Sequence, residues 1–298
     1  MRFGFIGVGN LGEPVVHNLL AAGHTVTVYD VARERAERAI GKGALWADSP
    51  AAVAAASEVT VTAVPGPPQV KAVVEGPDGI LEGIESGRAW IDMSTTDRDQ
   101  TRRLADLLGA KGAATVEAGC TGGVDAAWEG RVTLYVGAAD EDYARWKPAL
   151  DALGDQVFHM GPLGSGMVMK LVTNLLSFTM QCAFAEALSL GTLGGLDPAR
   201  VIEGISASYA RSFVAKTDGP KILDGSYDRT FAIGLVAKDA GLGMALAKEL
   251  GVPLRLFPIM REIVEEARRA YGDGAGNLVT ARVYEDAAGI AFRPQDGA

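Results

Sequence analysis

Three glycines, Gly7, Gly9 and Gly12, stand in G-x-G-x-x-G spacing within "GVGNLG", directly after the apolar run "RFGFI". A loop of this kind can wrap a pyrophosphate. Gly7 makes the tight turn, Gly9 lets backbone N–H groups close on the phosphates, and Gly12 lets the following helix pack against the strand. The helix N-terminus adds partial positive charge, so Gly7, Gly9, Asn10, Leu11 and Gly12 form the candidate phosphate-binding set. The spacing alone is weak, because glycine turns are common. Its place between a strand and a helix, with an acid closing the next strand in "VYD", makes the dinucleotide reading specific. That acid, Asp30, stands roughly 20 residues on, where a carboxylate accepts from the adenosine ribose and repels a 2′-phosphate. This favours NAD over NADP. Arg33 could stack on adenine or receive that phosphate, but within "ARERAERA" it also reads as one charge of a solvated face.

A second chemical feature is the lysine in "GSGMVMKLVTN", set in an otherwise apolar run. Lys170 could snorkel its charge to water, or it could sit in a pocket to exchange a proton. Asn174 follows one helical turn later on the same face, close enough to share a small ligand, whereas Gln181 lies about 16 Å further along the axis. Ser177 and Gln181 therefore read as structural, bonding a neighbouring helix or the backbone.

These residues need elements to hold them. The first half alternates strands ("RFGFIGV", "HTVTVYD", "EVTVTAVP", "RAWIDMS") with helices ("LGEPVVHNLLAAG", "ARERAERAIGKG", "SPAAVAAA", "TRRLADLLGAKG"). This is the pattern of a doubly wound parallel sheet, an α/β Rossmann architecture. "TVEAGCTGG" and "VTLYVGA" read as edge strands continuing it, and "QVFHMG" closes it. From Leu163 the strand signal stops, and a helix from about Ser165 to Leu193 leads into further helical segments. The expected organisation is a dinucleotide-binding domain over 1–162, an interdomain helix over 163–193 and an all-helical domain over 194–298.

Composition excludes several classes. The 298 residues are 48% apolar with 38 glycines, as in a packed protein, and the formal net charge is −9. No Lys/Arg cluster follows a phosphate backbone and no basic amphipathic patch suits a membrane surface, so neither nucleic acid nor membrane is expected as a partner. Cys120 and Cys182 cannot make a disulfide framework, and their spacing fits no zinc site. The N-terminal apolar run is broken too early by Gly9, Asn10 and Glu13 for a signal peptide. A reducing, cytoplasmic setting is expected. The three histidines, His17, His24 and His159, give Cys120 no signposted base, and no His/Asp/Glu cluster has metal-ligand spacing.

The stretches "GFIGVGNLGEPVVHNLLAAGHTV", "VEAGCTGGVDAAWEGRVTLYVGA", "GSGMVMKLVTN" and "AKDAGL" occur in that order through nearly the whole chain. Together they resemble the β-hydroxyacid dehydrogenase family, the 3-hydroxyisobutyrate dehydrogenase and tartronate semialdehyde reductase group, related to 6-phosphogluconate dehydrogenase. The resemblance implies hydride transfer between a nicotinamide and a small 3-hydroxy acid or its semialdehyde, in a homodimer or homotetramer, and it assigns substrate binding and dimerisation to the helical domain over 194–298. It assigns Lys170 as catalytic acid and base, with Asn174 holding the substrate beside it. Thr121, Gly122 and Gly123 fall on the loop that binds the substrate carboxylate. Val64 and Pro65 in "AVPGPP" fall on the turn lining the cofactor groove, Thr95 in "DMSTTD" beside the nicotinamide, and Lys238 in "AKDAGL" at the cofactor and substrate edge. A lysine serves either direction of this reaction when burial and the nicotinamide cation lower its pKa.

The sequence departs from the family pattern around the substrate. Gly119 and Cys120 replace the usual proline and valine, Thr121 the usual serine, and Arg131, Thr173 and Arg98 stand where threonine, asparagine and proline are common. These positions bear on substrate identity rather than reaction class. Two other readings use the same architecture: an NADP-linked imine reductase, and a nicotinamide-binding module without catalysis. In "SASYARSFVAKTDGP", Arg211 or Ser212 could meet a second polar group of the substrate or mark an exposed edge.

Overall fold

The computed structural model describes residues 1–294. The chain divides into two compact units, Met1–Lys170 and Leu171–Ala298. The division falls inside the long helix.

The first unit contains β1 (Arg2–Ile6), α1 (Gly12–Ala21), β2 (Thr25–Tyr29), a 3-10 turn over Arg33–Ala36, α2 (Glu37–Gly41), β3 (Leu45–Trp46), α3 (Pro50–Ala56) and β4 (Val59–Thr62). It continues with α4 (Pro67–Glu75), α5 (Ile80–Gly83), β5 (Ala89–Asp92), α6 (Arg98–Gly109), β6 (Ala114–Thr121), α7 (Gly123–Trp128), β7 (Thr133–Gly137), α8 (Asp140–Leu153) and β8 (Gln156–Gly161). The eight strands form one sheet in the order β3-β2-β1-β4-β5-β6-β7-β8. From β3 to β6 every pair is parallel. Central strands β4 and β5 are buried throughout, as a sheet covered by helices on both faces requires. Alternation separates the two cores. Phe3, Phe5, Val59, Val61 and Ile91 join α1 and α8 on one face, while Ile6 and Trp90 join α3, α4 and α6 on the other.

The sequence places β6 and β7 at an edge; in the structure both are internal, and β3 and β8 are the edges. β6 follows β5 through the α6 crossover and pairs with it in parallel. β7 then runs antiparallel to β6. The link between them contains only the six-residue α7, and a parallel crossover needs about a dozen residues or more.

α9 (Ser165–Leu193) begins in the first unit and continues into the second, which adds α10 (Pro198–Ala207), α11 (Phe213–Leu223), α12 (Ile233–Glu249), α13 (Leu256–Tyr271) and α14 (Val279–Ala288). Among the described residues its only β pairing is an isolated bridge between Ala232 and Gly276. Leu175, Phe178, Cys182, Ala185 and Leu188 recur at helical spacing along α9 and meet Val236 and Ala240 of α12 and Met260 and Val264 of α13 in one core. By length and mean hydropathy α9 could cross a membrane, but Asn174 and Gln181 on it are buried inside the helical unit.

Candidate active site

The glycine loop joins β1 to α1, and its three glycines answer to different constraints. Gly7 has φ +96°, and a Cβ there would lie 2.4 Å from the Ala63 carbonyl oxygen; one at Gly12 would lie 2.0 Å from that of Gly7. Gly7 and Gly12 are therefore fixed by the protein's own backbone. A Cβ at Gly9 would meet nothing within 4 Å. What Gly9 leaves room for lies outside the chain. α1 also starts without a side-chain cap at Leu11, which leaves its first-turn amides to a ligand. Both features fit a dinucleotide pyrophosphate.

Asp30, at the end of β2, is buried and holds this loop: Oδ2 accepts from the Val8 N–H at 2.8 Å and Oδ1 from the Ala32 N–H at 3.0 Å. Each oxygen retains a lone pair for a ribose hydroxyl. Arg33 is exposed, with its guanidinium 5.0 Å above the Trp46 ring.

At the ends of β4 and β5, a buried chain of hydrogen bonds sets the next two loops. Trp90 Nε1 donates to Thr62 Oγ1 at 2.9 Å, and Thr62 donates to Asp92 Oδ1 at 2.7 Å. Ser94 N also donates to that oxygen at 2.9 Å, and Val64 N donates to Ser94 Oγ at 3.0 Å. The chain pins the turn carrying Val64 and Pro65 to the loop carrying Thr95. Asp92 and Ser94 were not singled out from the sequence, although both stand in "DMST".

β6 ends in Thr121, half-buried, followed by Gly122 (φ +121°) and Gly123 (φ +75°), both exposed. The residues singled out on β1, β2, β4, β5 and β6 thus all lie at the carboxyl ends of neighbouring parallel strands, where open α/β sheets bind ligands. Lys170 joins them: a Cβ at Gly119 would lie 3.0 Å from Lys170 Cβ. The glycine that replaces the expected proline thus backs the lysine directly. Cys120 is buried with its Sγ 3.9 Å from the Met93 oxygen.

Glu117 was also missed. It is fully buried on β6, and its Oε2 accepts from the Gly164 N–H at 2.6 Å. Burial pushes its carboxyl up to about 7, with the charge of Asp92 adding to the rise and the amides of Gly164, Met167 and Gly166 opposing it.

In the helical unit, Asn174 Nδ2 donates to Asp239 Oδ2 at 2.7 Å, and Lys238 Nζ lies 2.8 Å from Asp239 Oδ1. Two residues expected at the site, Asn174 and Lys238, are thus brought together by one carboxylate that the sequence reading passed over. Gln181 donates to Asp218 on α11 at 2.9 Å, the structural bond expected of it. Ser212 caps α11 by accepting from the Ala215 N–H at 3.0 Å. With Ser206, Arg211, Phe213 and Lys216 it lines an open cavity of about 390 Å³.

Residues 2–161 match the family model described as the NAD binding domain of 6-phosphogluconate dehydrogenase, and residues 164–284 match that described as NAD-binding of NADP-dependent 3-hydroxyisobutyrate dehydrogenase. The chain belongs to the β-hydroxyacid dehydrogenase family. As a β-hydroxyacid dehydrogenase it is an NAD(P)-linked oxidoreductase of the type acting on CH–OH. It is 33% identical to 2-(hydroxymethyl)glutarate dehydrogenase of Eubacterium barkeri over 98% of this chain and 97% of the relative. It is 32% identical to 3-hydroxyisobutyrate dehydrogenase of Pseudomonas aeruginosa, covering 87% of this chain and 89% of the relative. Among solved structures, 3-hydroxyisobutyrate dehydrogenase of Salmonella typhimurium superposes with a TM-score of 0.88 at 24% identity, covering 95% of this chain and 99% of that one. That likeness establishes the β-hydroxyacid dehydrogenase fold, with its helical second unit.

Proposed function

We propose that the protein interconverts a small 3-hydroxy acid and its semialdehyde, with NAD as the preferred cofactor and Lys170 as general acid and base. One observation carries this reading: Lys170 packs on Gly119 of the strand that ends in the Thr121–Gly123 loop. One strand therefore supports the proton-transfer group on α9 and ends in the set of carboxylate donors.

Gly7, Gly9, Asn10, Leu11 and Gly12 would hold the pyrophosphate, Asp30 the ribose, and Val64, Pro65 and Thr95 the remainder of the cofactor, with Lys238 assigned to the cofactor by the family resemblance alone. The nicotinamide, when bound, accepts or supplies the hydride. The Thr121 hydroxyl and the Gly122 and Gly123 N–H groups bind the substrate carboxylate and orient the carbon bearing the hydroxyl. Lys170 takes the hydroxyl proton during oxidation and returns it to the developing alkoxide during reduction, which avoids a free charged oxygen. Asn174, one turn along α9, holds the same oxygen. Its orientation is set by Asp239.

Asp30 supports NAD over NADP, since its buried carboxylate would face a 2′-phosphate with like charge. A second copy of the chain would cover exposed apolar side chains of the helical unit such as Leu190, Leu193, Leu196, Leu256 and Ile259, giving a homodimer or homotetramer that light scattering would detect. Two buried free thiols suit a reducing, cytoplasmic setting.

The test is turnover of 3-hydroxyisobutyrate, 3-hydroxypropionate and glycerate with NAD and with NADP, by the wild type and by Lys170→Met. The expected loss in the variant is about 100-fold to 10,000-fold in kcat with NADH binding kept. Undiminished turnover by Lys170→Met would overturn the mechanism.

A further inference from the structure

Strands β5, β6 and β7 place Asp92, Glu117 and Gly137 side by side in register. Gly137 carries no side chain, and the Glu117 carboxylate fills that gap: a Cβ on Gly137 would lie 2.2 Å from Glu117 Oε2 and 2.9 Å from the Gly166 amide nitrogen. Gly166 is equally constrained, since its own Cβ would lie 2.5 Å from the Tyr135 carbonyl oxygen and 2.8 Å from the Gly137 nitrogen. The first turn of α9 therefore lies directly on the sheet, with the Gly164 N–H donating to Glu117 at 2.6 Å.

A carboxylate in this place is costly to bury, and among the described residues no lysine, arginine or histidine pairs with it. What Glu117 offers instead is directional: it accepts from the amides that open the helix bearing Lys170. On the same face of β6, two residues further, Gly119 receives Lys170 itself. Glu117 fixes where α9 starts along β6, Gly119 supports it one turn later, and Thr121 follows at the strand's end.

We propose that Glu117 is a positioning residue for the dehydrogenase reaction, fixing α9 along β6 so that Lys170 meets a substrate held at Thr121–Gly123. This rests on Lys170 being the proton-transfer group. A helix that opens with Gly164 and Gly166 has little intrinsic stability there, and a displacement of about 1 Å at a reacting group costs about 100-fold in rate. The role needs an acceptor at full side-chain length rather than a charge. The carboxyl's rise to about 7 shows that the neutral form is already close at hand.

Three full-length variants test this by kcat, KM, NADH affinity from fluorescence, and amide hydrogen exchange of residues 163–170. Glu117→Asp keeps the charge but shortens the reach. Glu117→Gln keeps the reach without the charge. Gly137→Ala keeps the glutamate in the sequence but drives a methyl between its carboxylate and the Gly166 amide, displacing the contact. Glu117→Asp and Gly137→Ala should lose at least 30-fold in kcat, keep NADH affinity within threefold and exchange faster over residues 163–170. Glu117→Gln should stay within threefold of wild type in all three. The proposal is overturned if Glu117→Asp keeps wild-type kcat and exchange, if Glu117→Gln loses as much as Glu117→Asp, or if NADH affinity falls in step with kcat. Lys170→Met separates the two ideas. If it abolishes turnover while Glu117→Asp does not, the positioning role falls alone; if it leaves turnover intact, the acid and base assignment fails, and unchanged exchange in Glu117→Asp would independently reject the docking.

Discussion

Asn174 and Lys238 meet on the same carboxylate, that of Asp239, at 2.7 Å and 2.8 Å from its two oxygens. Asp239 is 2% exposed and Asn174 is buried with it, so the amide would find no ready water in its place. It turns two neighbours of the proposed substrate into a fixed pair.

Removing that carboxylate should therefore reach both partners. Asp239→Ala is expected to lower kcat/KM about 100-fold, close to 3 kcal/mol, because the Asn174 amide loses its acceptor and the Lys238 ammonium its counter-charge together. Asp239→Asn keeps the shape and one acceptor and should lose less. Steady-state kinetics checked against thermal unfolding would decide it; wild-type kcat/KM in Asp239→Ala would refute the link.

Asp30 should not behave as a simple cofactor selector. Asp30→Ala deprives the Val8 and Ala32 amides of their acceptor, so NADH affinity should fall by about tenfold or more. NADPH, relieved of a like charge but bound to the same loosened loop, should change less. Fluorescence titration of both cofactors gives the ratio, and a clean switch to tight NADPH binding would contradict the loop-holding role.

Stability should depend on pH through Glu117. Its carboxyl lies at about 7 in the fold against an ordinary 4.5, so between those values the folded state holds a proton that the unfolded state has released. Stability is then highest below about 4.5 with respect to this group and declines as pH rises to about 7, by about 3 kcal/mol. Denaturant unfolding of wild type and Glu117→Gln across pH 5–8 should show a slope in the first that is missing from the second. Parallel curves would be the contrary result.

Glu285 is 4% exposed and accepts from Phe292 N at 2.6 Å, from Arg293 Nη1 at 3.3 Å and from the Tyr227 hydroxyl. Glu285→Ala should destabilise the helical unit by about 2–4 kcal/mol, because the buried Phe292 N–H and Tyr227 hydroxyl are left without their acceptor. Calorimetry should find the Tm reduced by about 10 °C, with kcat per folded molecule unchanged.

What could be read from sequence was local. The loop from Gly7 to Gly12 follows from its spacing together with the strand before it and the acid that closes the next strand, and the pairing of Lys170 with Asn174 from helical periodicity. α8 was also within reach: Asp140, Glu141 and Asp142 open it, and Trp146, Ala149, Leu150 and Leu153 are its buried face. Pro148 inside that pattern masked it. The partners were not within reach. Glu117 depends on Gly164, 47 residues away, and Asn174 on Asp239, 65 residues away. Such pairs follow from strand order and helix packing, which local patterns do not encode. The interior place of β6 was missed for the same reason, since only the pairing of β6 with β7 takes it off the edge.

Glu117, Gly119 and Thr121 lie on one face of β6 because pleated side chains repeat every two residues. That face works as a ruler for inserted and deleted residues. One residue added or lost between Glu117 and Thr121 would send the Glu117 carboxylate and the Thr121 hydroxyl to opposite sides of the sheet, whereas length changes in the turn after Trp128 would leave their spacing intact. Variation in chain length is therefore open to the turn and closed to the strand.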